Sequence, residues 1–491
     1  MKCSLVFPAW DPRDIFSKYT VRNQVSFQHP NGLLYLAGML IKSGHEVDFI
    51  DGAFLSHSQI LTKIKDFEPD YIGIYASTPM WKKALCTTKD IKKINKKAHI
   101  CIGGPYPIAM KTKCFDESHL IDSVCISEGE YVVSETVNRL QNNQSLSGIS
   151  GLIYRDANGK VIDNGPGIPI ENLDEIPFPP RYLLGDIHKY LSPPGTYKRK
   201  PIANIISSRG CTNLCLYCFQ IYRDKTIRYR SAKNVVDELE ECAERYGFKE
   251  VRFLDDQFTG DYDRVMEICQ MIKDRKINLT WYASAIAGTV DKKLLGAMKS
   301  AGCWAILFGA ESGVQKNLDT LKKGITLDQI SSSVKLAKKA GIRPYTPFMF
   351  GIPGETFEDG LKTIEFACKI NPYYVDFNSL TPFPGTTIYN DLDKYGTMLK
   401  DTDNFTFQHA TFIPNTLTRD EIIKLRELAF KRFYSRWQFV LKRIFLIRGW
   451  SDIVTLFKGS KSLFWLYFGA NVFNPSYFKD KKKSKDQDTE L

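Results

Sequence analysis

Short β-branched apolar runs alternate with amphipathic stretches of helical period, twice over, and this alternation constrains the fold more than any other feature. Residues 1 to about 145 carry "KCSLVFPA", "EVDFIDG", "DYIGIYA", "AHICIGG" and "DSVCISEG", with helical patterns such as "NGLLYLAGMLIKSG" and "MWKKALCTTKDIKKIN" between them. Runs that are apolar on both faces belong to parallel strands covered by helices on each side. The expected class is α/β, beginning with a five-stranded, doubly wound Rossmann-like sheet. Ligands of such sheets sit at the carboxyl ends of the strands. The residues falling there are Ser77 and Thr78, then Gly103 and Gly104, then Glu128, Gly129 and Glu130. Glycine at such ends serves either close ligand approach or a plain turn, and spacing alone leaves both open. No GxGxxG follows the first strand, so a dinucleotide is disfavoured.

From Pro201 the alternation resumes with "IANIISS", "EVRFLDD", "LTWYASA", "WAILFGA", "RPYTPFMFG" and "YYVDFNSL". Six βα units predict a partial (β/α)6 barrel over 197–400, with its site at the carboxyl ends of its strands. Between the two halves, 146–196 reads as a hairpin turning at Asn158–Gly159, followed by a proline-rich linker. Residues 401–478 read as helical and aromatic, and 479–491 as a disordered polar tail. A chain of 491 residues exceeds one core, which agrees with this division.

Charge is distributed unevenly. The net charge is +12, and the segment from Lys431 to Lys461 alone contributes +7 of it, so a chain-wide nucleic-acid surface is not expected. The basic aromatic stretch 431–468 has two readings: a helical cap that turns Trp437, Phe445 and Trp450 inward, or a peripheral contact with an anionic membrane that gathers a lipid. The start reads as a buried strand rather than a signal peptide, and no apolar run is long enough to span a bilayer. The expected location is therefore cytoplasmic, with contact at the inner membrane face under the second reading. Of twelve cysteines, nine lack CxxC spacing and read as small buried hydrophobes in a reducing compartment.

The other three, Cys211, Cys215 and Cys218, sit in "SSRGCTNLCLYCFQ" just after the first barrel strand. Structural zinc takes four ligands. Thiolates equally suit iron–sulfur clusters, and a four-iron cube held by three cysteines leaves one iron open to a substrate or cofactor.

"CTNLCLYC", with Tyr217 before the third cysteine, resembles the cluster loop of the radical S-adenosylmethionine enzymes. "FLDDQFT", "GAESG", "GIPGET" and "LTPFPGT" follow later strands in that family's order. "HPNGLLYLAGMLIKSGHEVDFIDG", "IGGPYP" and "SEGE" resemble the cobalamin-binding half of its cobalamin-dependent members, and the likeness covers roughly 1–400. It implies a 4Fe-4S cluster on the three cysteines and S-adenosylmethionine chelated at the open iron, where one-electron cleavage yields methionine and a 5′-deoxyadenosyl radical. It further implies cofactor contacts from Tyr217, Asp255, Asp256, Glu311 (to the ribose), and Gly351, Pro353 and Gly354 (beside the adenine). Cobalamin would lie at the seven strand-end residues of the first sheet. A helix cap or a solvated loop acid is the alternative for the two aspartates and for Glu311. The DxHxxG pattern that supplies an axial histidine in many corrinoid proteins is absent, and His45 reads as a structural loop residue. Ile286 stands where the family often carries an arginine.

The resemblance implies a methyltransferase acting on an unactivated carbon. A radical cyclisation, oxidation or rearrangement with the same cofactors is the alternative, and a non-catalytic corrinoid or iron–sulfur sensor is a third. Expected partners are a small-molecule or lipid substrate and an electron donor such as flavodoxin or ferredoxin, with no nucleic acid. The sequence assigns no catalytic residue.

Overall fold

The computed structural model describes residues 1–11, 26–193, 196–399 and 410–437. Five strands, β1 (Lys2–Phe7), β2 (Glu46–Asp51), β3 (Tyr71–Tyr75), β4 (His99–Gly103) and β5 (Ser123–Cys125), run parallel in the order β2-β1-β3-β4-β5. Helices Asn31–Lys42 and Gly129–Gln141 cover one face through Leu33, Leu34, Ala37, Val133 and Val137. Helices His57–Phe67 and Trp81–Ile94 cover the other through Ile60, Ile64, Ala84 and Ile91. The doubly wound arrangement follows from strands whose residues are apolar toward both faces.

The hairpin differs from the sequence expectation. Its strands β6 (Leu152–Arg155) and β7 (Val161–Asp163) extend the first sheet antiparallel from β5, pairing Ser123 with Tyr154, so it lies within that sheet and not in the linker. A three-residue β5 would otherwise leave an open edge in the core, and the nearest strand in sequence covers it.

The second half is a parallel sheet of β8 (Ile202–Ile205), β11 (Glu250–Phe253), β12 (Thr280–Ala285), β13 (Cys303–Phe308), β14 (Arg343–Phe350) and β15 (Tyr374–Ser379), neighbours in that order. Between β8 and β11 in sequence, β9 (Ser208–Arg209) and β10 (Arg228–Tyr229) form a separate antiparallel ribbon. The partial barrel is thus built in chain order, each strand beside its predecessor, with helices outside. Capping boxes at Thr326/Gln329 and Thr356/Asp359 fix the starts of two of those helices.

The open β15 edge is covered by helix Arg419–Tyr434. Phe430 packs edge-on to Phe377 at 5.4 Å, and Tyr434 Oη donates to the Val375 carbonyl at 2.6 Å. This helix and a short ribbon of β16 (Gly396–Met398) and β17 (Phe412–Pro414) are the described part of the helical C-terminal region. Trp437 does not turn inward: it is 69% exposed. Phe445, Trp450, the rest of 438–468 and the tail 479–491 lie outside the described residues. Among the described residues, no helix is long and apolar enough to cross a membrane.

Seven of the nine scattered cysteines are buried, as their spacing suggested, but Cys368 is half-buried and Cys86 is exposed. His45 is buried with Nε2 3.0 Å from Asn138 Oδ1, a structural contact. Ile286 packs against the barrel core.

The proline-rich linker is anchored by charge. Arg181 Nη2 lies 2.5 Å from Glu238 Oε1, with both side chains 0% exposed, and Arg230 takes the other carboxylate oxygen. Arg181 also donates to the Asn204 carbonyl of β8 at 3.0 Å. Removing one member of such a triad strands uncompensated charge in the interior. Glu238→Ala is expected to destabilise the protein by about 3–5 kcal/mol, read as a lowered urea midpoint at unchanged slope; a midpoint within error of the parent would show that the triad holds nothing.

Candidate active site

The cluster loop spans the ribbon: Cys211, Cys215 and Cys218 all fall between β9 and β10. Gly210 opens it at φ +101°, where a Cβ would come within 2.2 Å of the Thr226 carbonyl oxygen, so only glycine can bring the first cysteine so close to the returning strand. The loop is then tied down by its backbone. Leu216 N–H donates to the Leu321 carbonyl at 3.0 Å and Ile388 N–H to the Leu216 carbonyl at 3.1 Å. Asn213 Nδ2 donates to the Lys323 carbonyl at 3.0 Å, and Arg223 Nη1 to the Cys218 carbonyl at 3.2 Å.

Burial pushes the thiols up, Cys218 to about 12, and the carboxylate of Asp256 adds to this at Cys211 and Cys218.

Glu311 follows β13 at φ +61°, held there by a bridge to β14 in which its N–H donates to the Pro347 carbonyl at 2.9 Å. Its Oε1 accepts from Lys323 Nζ at 2.8 Å, and the same ammonium donates to Tyr217 Oη at 3.1 Å. Burial opposes the lysine charge, but Glu311, Tyr217 and Cys215 together hold its pKa well above the ordinary value. An ammonium has three N–H groups, so a third is left for an anionic group beside the cluster loop. The sequence reading missed Lys323. It sits in "LKKG", where a lysine reads as an ordinary polar helix end.

The two aspartates after β11 separate cleanly. Asp255 is buried and saturated: Ser207 N–H donates to it at 2.7 Å, Ser207 Oγ at 2.5 Å and Ser208 Oγ at 2.7 Å. It fixes the end of β8, a buried strand-end role that is neither the helix cap nor the solvated loop acid of the sequence alternative. Asp256 is exposed into the cavity described below; desolvation and then the neighbouring Asp255 charge push its pKa up to about 6. In the "GIPGET" turn, Gly351 (φ +87°) and Ile352 donate their N–H groups to the buried Glu355 carboxylate at 2.7 and 3.2 Å. Burial raises Glu355 to about 8. This acid, also missed, organises the turn that holds Gly351, Pro353 and Gly354.

A cavity of about 570 Å³ lies between the first sheet and the ribbon. Gly103, Gly104, Glu128, Gly129 and Glu130 line it from one side, and Arg209, Gly210, Phe219, Tyr222 and Asp256 from the other. Ser77 and Thr78 do not line it. Gly104 is explained by its turn, since at φ +118° its Cβ would meet the Ala76 oxygen at 2.6 Å. The cavity reaches along the sheet where Gly73, Cys101 and Cys125 leave room beneath Leu33 and Leu36.

The carboxylates of "SEGE" face this cavity but are engaged by arginines. Arg228 grips Glu128 with both nitrogens, at 2.8 and 2.6 Å, and Ile170 N–H donates to it at 3.0 Å. Arg209 pairs with Glu130 and lies 3.4 Å from Glu128. Burial alone would raise Glu128; the two guanidiniums hold it below the ordinary carboxylate range. Glu128 and Glu130, expected as cofactor contacts, thus join the two halves of the chain. Their partners flank the cluster loop about 80 and 100 residues away, at a range where sequence spacing carries no signal.

Two family models match the chain: the Radical SAM superfamily over residues 205–367 and the B12 binding domain over 18–137. A relative in Pyrococcus horikoshii, an uncharacterized methyltransferase, is 36% identical over 425 residues, spanning 85% of this chain and 90% of that one. The anaerobic magnesium-protoporphyrin IX monomethyl ester cyclase of Rubrivivax gelatinosus is 28% identical over 420 residues, spanning 84% and 74%. Among solved structures, the cobalamin-dependent S-adenosylmethionine radical enzyme OxsB, with aqua-cobalamin and S-adenosylmethionine bound, shares the fold at a TM-score of 0.73 and 17% identity, covering 94% of this chain and 70% of that one.

The clamp between the halves makes a measurable claim. In a double-mutant cycle, Arg228→Ala and Glu128→Ala should each destabilise by about 2–4 kcal/mol, and together by less than their sum, leaving a coupling of about 1–3 kcal/mol. Additive losses would show that the two side chains do not act as a pair.

Proposed function

The chain belongs to the cobalamin-dependent radical S-adenosylmethionine enzymes, and within that family we propose that it transfers a methyl group to an unactivated carbon of a small-molecule or lipid substrate. The observation that carries this reading is that the cavity at the strand ends of the first sheet is closed by the cluster loop itself, with Gly210, Phe219 and Asp256 in its wall. The relative named as a methyltransferase supports it. When bound, the cluster with S-adenosylmethionine supplies one-electron hydrogen abstraction, and the corrin supplies a transferable methyl group.

The chain's own groups divide the work. Cys211, Cys215 and Cys218 hold the cluster. Lys323 and Glu311, paired at 2.8 Å, offer a cation and a carboxylate to the amino-acid and ribose ends of the cofactor, with Tyr217 steadying the lysine. The Glu355-braced turn presents Gly351 to Gly354 to the adenine. On the other side, Gly103, Gly129 and the small residues of the sheet floor leave space for the corrin. Ile206, Phe219, Ile221 and Leu254 give the gap an apolar lining that suits a hydrocarbon-rich substrate. A donor of the flavodoxin or ferredoxin type completes the reading.

Anaerobic reconstitution with iron, sulfide and cobalamin, followed by methyl-labelled S-adenosylmethionine and a cell extract, tests it. A labelled product heavier by one methylene is expected; a product of altered mass without label would favour the cyclase reading that the 28% identical relative supports. Cys211→Ala, Cys215→Ala and Cys218→Ala combined should abolish the brown absorbance at about 400 nm, and a fully coloured triple variant would sink the cluster assignment. Asp256, raised to about 6, is neutral below that pH and anionic above it. Affinity for the sulfonium cofactor should therefore rise as pH increases through 6, by up to about tenfold, and lose this dependence in Asp256→Asn; a parallel pH profile in the variant would remove Asp256 from the site.

A further inference from the structure

The exposed Cys86 departs from the pattern of the other isolated cysteines, and it does not stand alone. It lies on helix Trp81–Ile94 four residues before Asp90, on the same face. His57, the first residue of helix His57–Phe67, meets them from the neighbouring helix, its position fixed by the Ser56/Gln59 capping box. His57 Nε2 lies 3.0 Å from Asp90 Oδ2, Cys86 Sγ lies 3.8 Å from the same oxygen, and all three donor atoms fall within 4.8 Å of one another.

We propose that His57, Cys86 and Asp90 form a zinc-type divalent metal site that staples these two helices. A tetrahedral ion with bonds of about 2.0–2.3 Å sets N···O edges of about 3.3 Å and S···O edges of about 3.5 Å. The His57–Asp90 and Cys86–Asp90 separations are within a few tenths of an ångström of those edges, so two sides of the triangle stand near metal-binding length before any ion arrives, and the third lies within 4.8 Å. The donor set is nitrogen, sulfur and oxygen, which selects zinc or cobalt over magnesium or calcium. The charges also balance: one thiolate and one carboxylate neutralise a dication, with one thiol proton released on binding.

The surroundings hold the ligands in place. Lys93 Nζ donates to Asp90 Oδ1 at 2.6 Å, which leaves Oδ2 for a metal and orients the carboxylate, and this lysine and then His57 hold Asp90 down to about 2. Both helices are seated on the same apolar floor through Ile60, Ile64, Ala84 and Ile91. The fourth position faces solvent, since His57 is 36% and Asp90 24% exposed. None of the three ligands lines the cavity, and the helices bearing them cover the sheet face opposite Leu33 and Val133. The site is therefore independent of the proposed reaction.

The test uses the full chain with its cluster already reconstituted, titrated with zinc against a chromophoric chelator, then with cobalt(II). The parent should hold one equivalent of zinc, gain thermal stability with added zinc, and show with cobalt a sulfur-to-metal band together with intense tetrahedral d–d absorption. Cys86→Ser and His57→Gln should each weaken binding at least about tenfold and lose the zinc-dependent rise in Tm. The triple cluster variant should keep this equivalent. If Cys86→Ser binds zinc as the parent does, or if the bound zinc disappears only with the three cluster cysteines, the staple does not exist.

Discussion

The position of the cluster loop relative to the first sheet depends on four charges. Glu128 and Glu130 leave the end of β5, Arg209 and Arg228 flank the loop on β9 and β10, and their side chains are between 5% and 16% exposed. Charges this far from water are tolerable only in each other's company. A small shift of the ribbon would leave acids and guanidiniums unmatched in a low-dielectric gap, so the pairing sets the relative position of the two halves more sharply than apolar packing would. The cavity is the space this clamp leaves open, and Arg209 stands only two residues before Cys211.

A second polar layer continues the same logic beneath β8. Glu238 joins Arg181 from the linker to Arg230 just beyond the ribbon, and Arg264 donates to the carbonyls of Arg230 and Ser207 at 2.7 and 2.8 Å. Asp255 then locks Ser207 and Ser208. From the linker to the cluster loop, buried Arg181, Glu238, Arg230, Arg264 and Asp255 hold successive backbone segments through ion pairs and hydrogen bonds. Such a buried polar network is costly to rearrange, which fixes the backbone leading into the cysteine loop.

What the sequence disclosed follows from how local each signal is. The eleven parallel strands were legible because β-branched residues on both faces leave a parallel strand few alternatives. The three cysteines were legible because their spacing fits within one loop. The hairpin's true sheet was not, because a hairpin reads alike wherever its edge pairs. Glu128 and Glu130 were found as polar residues at strand ends, but their roles depend on arginines that only the fold brings near. Asp255 and Asp256 look equivalent in "FLDDQFT"; the serines that saturate one of them lie 47 and 48 residues earlier. Cys86 was misjudged because isolated cysteines are usually buried, and its partner His57 sits on another helix.

The remaining acid, Asp256, is electrostatically misplaced unless something positive joins it. It raises the pKa of Cys211 and Cys218, which burial has already raised, and its own carboxyl is raised by desolvation and then by Asp255. With only protein present, burial keeps the thiols neutral, Asp256 gives up its proton only as pH rises through about 6, and Lys323 donates to Glu311 and Tyr217. Iron on the thiols would displace their protons, and a cation beside Asp256 would hold its carboxyl ionised. Groups that disfavour one another's charge alone would thus be relieved by a metal on the thiols and a cation beside the acid, as in a preorganised site.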